Sequence, residues 1–207
     1  LASFPLIGMY DDRFIPSHKE LTDRIHKHDS KIFLQIALSG GKLSTDAPSA
    51  IYSINYFVKP RELTIDELDE LVDAYIQAAG RAKEAGYDGV EVHGAHSYLV
   101  GQMMSPALNK RTDKYGGSFE GRMKFPTDII NGIKAKYPDL GVGIKISAYE
   151  EIPGGVDINL GKEIAQHLAG TDPAYIHVAT TASTLEAKSK YPSVPPLYLP
   201  RNTLMPL

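Results

Sequence analysis

The chain contains no cysteine. A disulfide frame, a thiolate metal site and a thiol nucleophile are therefore excluded. No apolar run approaches the ~20 residues needed to span a bilayer. The opening stretch, LASFPLIGMYDD, has no basic segment followed by a long apolar one, so no secretory signal is expected. Positive charge is not in surplus either. Lys and Arg number 22 against 25 Asp and Glu, a formal charge of −3, and no basic stripe marks a nucleic-acid surface. These absences lead to an expectation of a cytoplasmic protein with neither membrane nor nucleic acid as partner. The rest is ordinary: 207 residues, 43% hydrophobic and 23% charged, enough for one domain with a real core or for part of a larger one.

Helical and strand patterns alternate along the chain. Ser17 to Asp29 reads as a helix, with Ser17 as N-cap and Glu20 completing a capping box. KIFLQIA (Lys31 to Ala37) is a short apolar run closed by SGG, the pattern of a buried strand feeding a loop. Residues 42–60 show no period and read as a long loop. Thr64 opens a second helix through the capping box TIDE, and Leu68, Leu71, Val72, Tyr75, Ile76 and Ala79 follow helical spacing towards Gly86. DGVEVH is the next strand. Residues 97–121 read as a polar, Gly-rich insertion, followed by a helix from about Arg122 to Tyr137. GVGIKIS is a third strand, Leu160 to Ala169 a helix, and AYIHVAT a fourth strand.

Helices alternating with continuously apolar strands indicate βα units in a parallel sheet. No Gly-rich phosphate fingerprint follows any strand, which argues against a Rossmann domain. In a TIM (β/α)8 barrel, working groups cluster at the C-terminal ends of the strands. Gln35, His93 and Lys145 fall at or near such ends, which favours the barrel. Only about four βα units are present where closure needs eight. The expected architecture is an incomplete barrel over residues 1–180, the central part of a single domain, with an irregular, Pro-rich tail over 181–207.

Strand alternation sends Glu91 and His93 to one side and Val90 and Val92 to the other. The turn GAHSY can bring His96 and Tyr98 towards the space that His93 faces. Two imidazoles can donate to one oxygen, and a phenol can deliver a proton nearby. Such a set suits a carbonyl that gains electron density while a neighbouring carbon is protonated.

The stretch AGYDGVEVHGAHSYLVGQMMSPALNKRTDKYGGSFEGR, Ala85 to Arg122, resembles the old yellow enzyme family of FMN-dependent ene-reductases. KIFLQIALSGGK, the APS and PRELT segments and VGIKIS add weaker matches, so that the likeness runs from roughly Gly8 to Thr180. The resemblance implies an FMN-linked barrel that takes electrons from NADH or NADPH and reduces a small enone- or enoate-like substrate. A homo-oligomer is compatible with it. It further implies that His93 and His96 bind the substrate carbonyl oxygen, His93 also lying near the flavin. Tyr98 corresponds to the acid that protonates the α-carbon, and Gln35 to the residue that hydrogen-bonds the flavin pyrimidine. Lys145 stands where arginine is usual, near flavin N1 and O2, where a cation stabilises negative charge on the reduced ring. The family's usual tryptophan–histidine pair and closing arginine are replaced by Ala37, Leu38 and Gly41, which alters the substrate pocket. The first barrel strand and the two strands that hold the FMN phosphate have no counterpart.

Two other readings stand beside this one. The chain is a non-catalytic barrel portion that keeps the motif without the cofactor, or it is a metal-dependent barrel hydrolase. His93 and His96 are three apart, as zinc ligands can be, but no third ligand stands at diagnostic spacing, so no metal is expected. In RTDKYGGS, Arg111, Asp113 and Tyr115 read as ties that hold a long loop, as do Asn109 and Arg122. His18, His26, His28, His167 and His177 read as surface or packing residues.

Overall fold

The computed structural model describes residues 7–40, 46–51, 59–150 and 152–179, together with the backbone of 202–205. Gly41 and most of the tail after Ala179 lie outside the described residues. The elements in order are α1 (Ile15–His26), β1 (Phe33–Ile36), β2 (Asp46–Ala47), β3 (Arg61–Glu62), α2 (Ile65–Glu84), β4 (Gly89–Gly94) and α3 (Leu99–Met104). They are followed by α4 (Phe119–Lys136), β5 (Gly141–Ser147), α5 (Ile158–Ala169), β6 (Tyr175–Ala179) and β7 (Asn202–Met205). One sheet runs β1-β4-β5-β6-β7. Its first four strands are parallel, joined by crossovers that carry helices, and β2 pairs with β3 in a small separate ladder. Four consecutive parallel strands with helices on one face form part of a TIM barrel, as expected.

The helix starts follow local chemistry. Thr64 caps α2 in a full capping box: its hydroxyl accepts from Glu67 N–H, and Glu67 accepts from Thr64 N–H. Arg61 also clamps Glu67 through its two terminal guanidinium nitrogens. Ser118 caps α4 and Asp157 caps α5. The expected cap at Ser17 is not used. A 3-10 turn, Asp12–Phe14, leads directly into α1 at Ile15, with Pro16 in the first turn, where its missing N–H costs nothing. Ser17 is thus already inside the helix, and its hydroxyl donates to Phe14 O.

Two other expectations are corrected. The supposedly polar insertion over 97–121 contains α3, whose six residues are all buried. LVGQMM is too short to show a helical period, and only packing against β4 and α4 settles its state. The stretch read as an irregular tail contributes β7, antiparallel to β6. β6 otherwise presents an unpaired edge of N–H and C=O groups, and a short strand satisfies them.

The sheet has two unlike faces. Val90, Val92, Val142, Ile144, Ile146 and Ile176 point towards the helices. They form the core with Leu68, Tyr75, Phe125, Ile129, Ile130, Ile133, Ile164 and Leu168. Each such side chain contributes about 1.5–3 kcal/mol on burial. The opposite face is graded. At the N-terminal ends of the strands the Phe33 and Tyr175 rings lie 5.4 Å apart. They lie where side chains on Gly89, Gly141 and Gly143 would otherwise stand: a Cβ on Gly89 or Gly141 would meet the Phe33 ring, and one on Gly143 the Tyr175 ring. Towards the C-terminal ends the same face turns polar: Gln35, Glu91, His93, Lys145, Ser147 and His177. An aromatic floor below polar groups positions a site at the rim.

Candidate active site

β4 delivers His93 to the rim at its penultimate position, only 5% exposed. The chain then turns back over itself. Gly94 and Gly101 permit the return: a Cβ on Gly94 would come within 2.8 Å of Lys145 O, and one on Gly101 within 2.9 Å of Gly94 O. Between them, His96 and Ser97 adopt left-handed backbone at φ 56° and 57°. Two successive non-glycine residues in that region cost roughly 1–2 kcal/mol each and occur where surrounding contacts over-determine them. Those contacts are present. His96 N–H donates to Ser147 Oγ at 3.0 Å, Gln102 Nε2 donates to Ser97 O at 2.8 Å, and Leu99 N–H donates to Leu38 O at 2.9 Å. Tyr98 then caps α3.

The turn gathers three rings. His93 and His96 have centroids 5.4 Å apart, and Tyr98 meets His93 edge-on at 4.6 Å. Lys145 is the registered partner of His93 on β5, and His177 the registered partner of Lys145 on β6. The Lys145 side chain is 6% exposed, and among the described residues no carboxylate lies within ion-pairing distance of it. An ammonium held out of water without a counter-charge is costly, so this position favours an anionic or electron-rich ligand atom. Two residues deeper, Gln35 Nε2 donates to Glu91 Oε1, and Glu91 Oε2 pairs with His177 Nδ1 at 2.8 Å. Burial, and then the adjacent Glu91 carboxylate, push the Tyr175 phenol well above its ordinary range, so it stays protonated below this network.

The five residues singled out from sequence thus lie on one face and its rim. His93, His96 and Tyr98 converge, Lys145 lies beside His93, and Gln35 sits one layer lower. The sequence reading missed Glu91, Ser147 and His177. His177, which reads as a surface or packing residue in the sequence, shares Glu91 with Gln35. The signal was available: Tyr175, His177 and Ala179 alternate onto the face that carries Lys145. Among the described residues no group of three or more His, Asp or Glu side chains is placed to hold a metal ion. None of their helices is long and apolar enough to cross a membrane.

The loop after α3 is tied as expected. Arg111 is buried, fastens Asp113 at 2.6 Å, and donates to Pro48 O at 2.9 Å and Leu63 O at 2.6 Å. Asn109 donates to Met103 O and Tyr115 O, each at 2.8 Å, and the Tyr115 hydroxyl donates to Asp69. Arg122 does not share this role. It lies in the first turn of α4, and its Nε is buried without a hydrogen-bond partner among the described residues.

The donor set fits a flavin ring: an amide and two imidazoles along one polar face, with a lysine that has no carboxylate in ion-pairing distance and a buried His177 Nε2 that has no partner, both among the described residues. The model of the NADH:flavin oxidoreductase / NADH oxidase family matches residues 6–193. The chain belongs to that family. The family is named for a flavin and NADH, in line with the cofactors implied by Ala85–Arg122. The chain is 42% identical over 178 residues to an NADH oxidase of Thermoanaerobacter brockii, covering 82% of this chain and 27% of the relative. It is 38% identical over 156 residues to an NADPH dehydrogenase of Listeria welshimeri, covering 73% of this chain and 46% of that protein. It therefore spans less than half the length of either relative. Among solved structures, an old yellow enzyme homologue from Zymomonas mobilis superposes with a TM-score of 0.76 at 25% identity, covering 88% of this chain and 60% of that one.

Proposed function

We propose that this chain carries the substrate end of an FMN-dependent site that reduces the C=C bond of α,β-unsaturated carbonyl compounds, with NADH or NADPH as electron source. The single observation that supports this most is the convergence of the His93, His96 and Tyr98 rings at the strand C-termini. Gln35 and Lys145 would hold the ring system of FMN, Lys145 by charge and Gln35 by hydrogen bonding. When bound and reduced, FMN supplies the hydride. The chain's own residues do the rest. The two imidazoles bind the substrate carbonyl oxygen and stabilise the charge that develops on it, about 2–4 kcal/mol per donor at an oxyanion-type site. The Tyr98 hydroxyl delivers the proton to the α-carbon. The aromatic floor and the tight His96–Ser97 turn keep these groups oriented.

Tyr98→Phe tests the assignment. Alkene reduction should fall by about 10²-fold, within the usual range for a lost general acid, while flavin reduction by NADH or NADPH proceeds at the wild-type rate. Equal loss in both half-reactions contradicts it. The other reading of the sequence, a barrel portion that keeps the motif without retaining flavin, makes a different prediction. A visible absorbance scan separates the two. A yellow flavin band supports the first, and a colourless protein that takes up no added FMN supports the second.

A further inference from the structure

Glu91 lies at the centre of β4, beneath the rim, and contacts both flanks of the polar face. On one side it accepts from Gln35 Nε2, its registered partner on β1. On the other it reaches His177 Nδ1 on β6 at 2.8 Å, across the intervening strand. That reach is possible because its registered partner on β5 is Gly143, which has no side chain to stand between them. The Glu91 and His177 side chains are 9% and 13% exposed, whereas Gln35 on β1 is exposed.

An ionised carboxylate only accepts hydrogen bonds. Gln35 must therefore turn its NH2 group towards Glu91, which leaves its carbonyl oxygen for another partner. His177 must carry a proton on Nδ1, and in the neutral ring Nε2 is then a bare lone pair, buried without a partner among the described residues. We propose that Glu91 is a positioning residue that sets the donor–acceptor polarity of Gln35 and His177, so that Gln35 offers its carbonyl oxygen to the imide N–H of a flavin ring. An imide edge reads acceptor–donor–acceptor, and an amide turned the other way would set NH2 against that N–H. The flavin half of this inference rests on the proposed function, whereas the polarity of Gln35 and His177 does not.

The test has two arms on the same protein. Nitrogen-15 NMR of the cofactor-free chain, at a pH where imidazoles are neutral and with His177→Asn to assign the signals, reads the His177 tautomer. Wild type should show Nδ1–H, Glu91→Leu should revert to the Nε2–H form of an unrestrained imidazole, and Glu91→Asp should keep Nδ1–H. An Nε2–H wild type, or a tautomer indifferent to Glu91→Leu, overturns the proposal. The second arm compares binding of FMN and N3-methyl-FMN by fluorescence quenching. Wild type should prefer FMN about tenfold, the worth of one hydrogen bond, and Glu91→Leu should lose most of that preference. An undiminished preference in Glu91→Leu overturns the proposal. If wild type binds neither flavin, the cofactor reading fails by itself and the tautomer decides the role of Glu91.

Discussion

Ser97 shows how much of the site depends on backbone that its own side chain disfavours. At φ 57° it would relax on replacement by glycine, the residue that visits that region freely. Ser97→Gly should raise stability by up to about 1 kcal/mol in a denaturant titration, because Gln102 grips only the Ser97 carbonyl. A loss of that size would contradict the strain argument. Ser147 acts from the other side: its hydroxyl is the acceptor for His96 N–H. Ser147→Ala should cost about 1 kcal/mol and weaken binding of carbonyl ligands more than flavin uptake, read as separate dissociation constants. Equal weakening of both would place Ser147 in general folding only. Residues such as His93 and Tyr98 were legible in the sequence because the motif brings them together within six positions. The pairing of Glu91 with His177 was not, because it crosses a strand and depends on register.

At the scale of elements, the sequence announced strands and helices wherever a cap or a long period existed. Thr64 with Glu67 predicted the start of α2 to the residue. Ser17 misled, since Pro16 one position earlier supplies a stronger start. α3 was invisible, six residues being too few for periodicity to separate a buried helix from a loop. The α2 cap also has a pH signature. Hydrogen bonds from Arg61, and then from the Thr64 backbone, draw Glu67 down from 4.5 to about 2. A carboxyl whose folded value is depressed contributes stability that is present above pH 4.5 and lost as pH falls towards 2. Glu67→Gln should therefore flatten the fall of the unfolding midpoint across that window, and an unchanged slope would refute the cap's contribution. The aromatic floor makes a similar claim about β5 and β6. Gly143→Ala drives a methyl group into the Tyr175 ring and should cost about 1–3 kcal/mol by thermal denaturation. The same change in a Tyr175→Ala background should cost distinctly less, and full additivity would contradict the contact.

For the molecule as a whole, function follows from the difference between the two sheet faces. One face is a continuous aliphatic layer that anchors helices. The other passes from rings over glycines, through a carboxylate that organises an amide and an imidazole, to a rim of two histidines and a tyrosine. Arg111 binds the loop after α3 to the Pro48 and Leu63 segments. The family and the barrel were both legible from Ala85 to Arg122, where many spaced identities occur without a gap. The polar network beneath the rim became visible only with strand register. The central claim is that His93 and His96 bind one carbonyl oxygen together. The most direct measurement follows the ring nitrogen-15 signals of both histidines while a small enone is titrated into the FMN-supplemented protein. The account predicts that both rings shift together along a single binding curve; a response from only one ring, or from neither at saturating ligand, would contradict it.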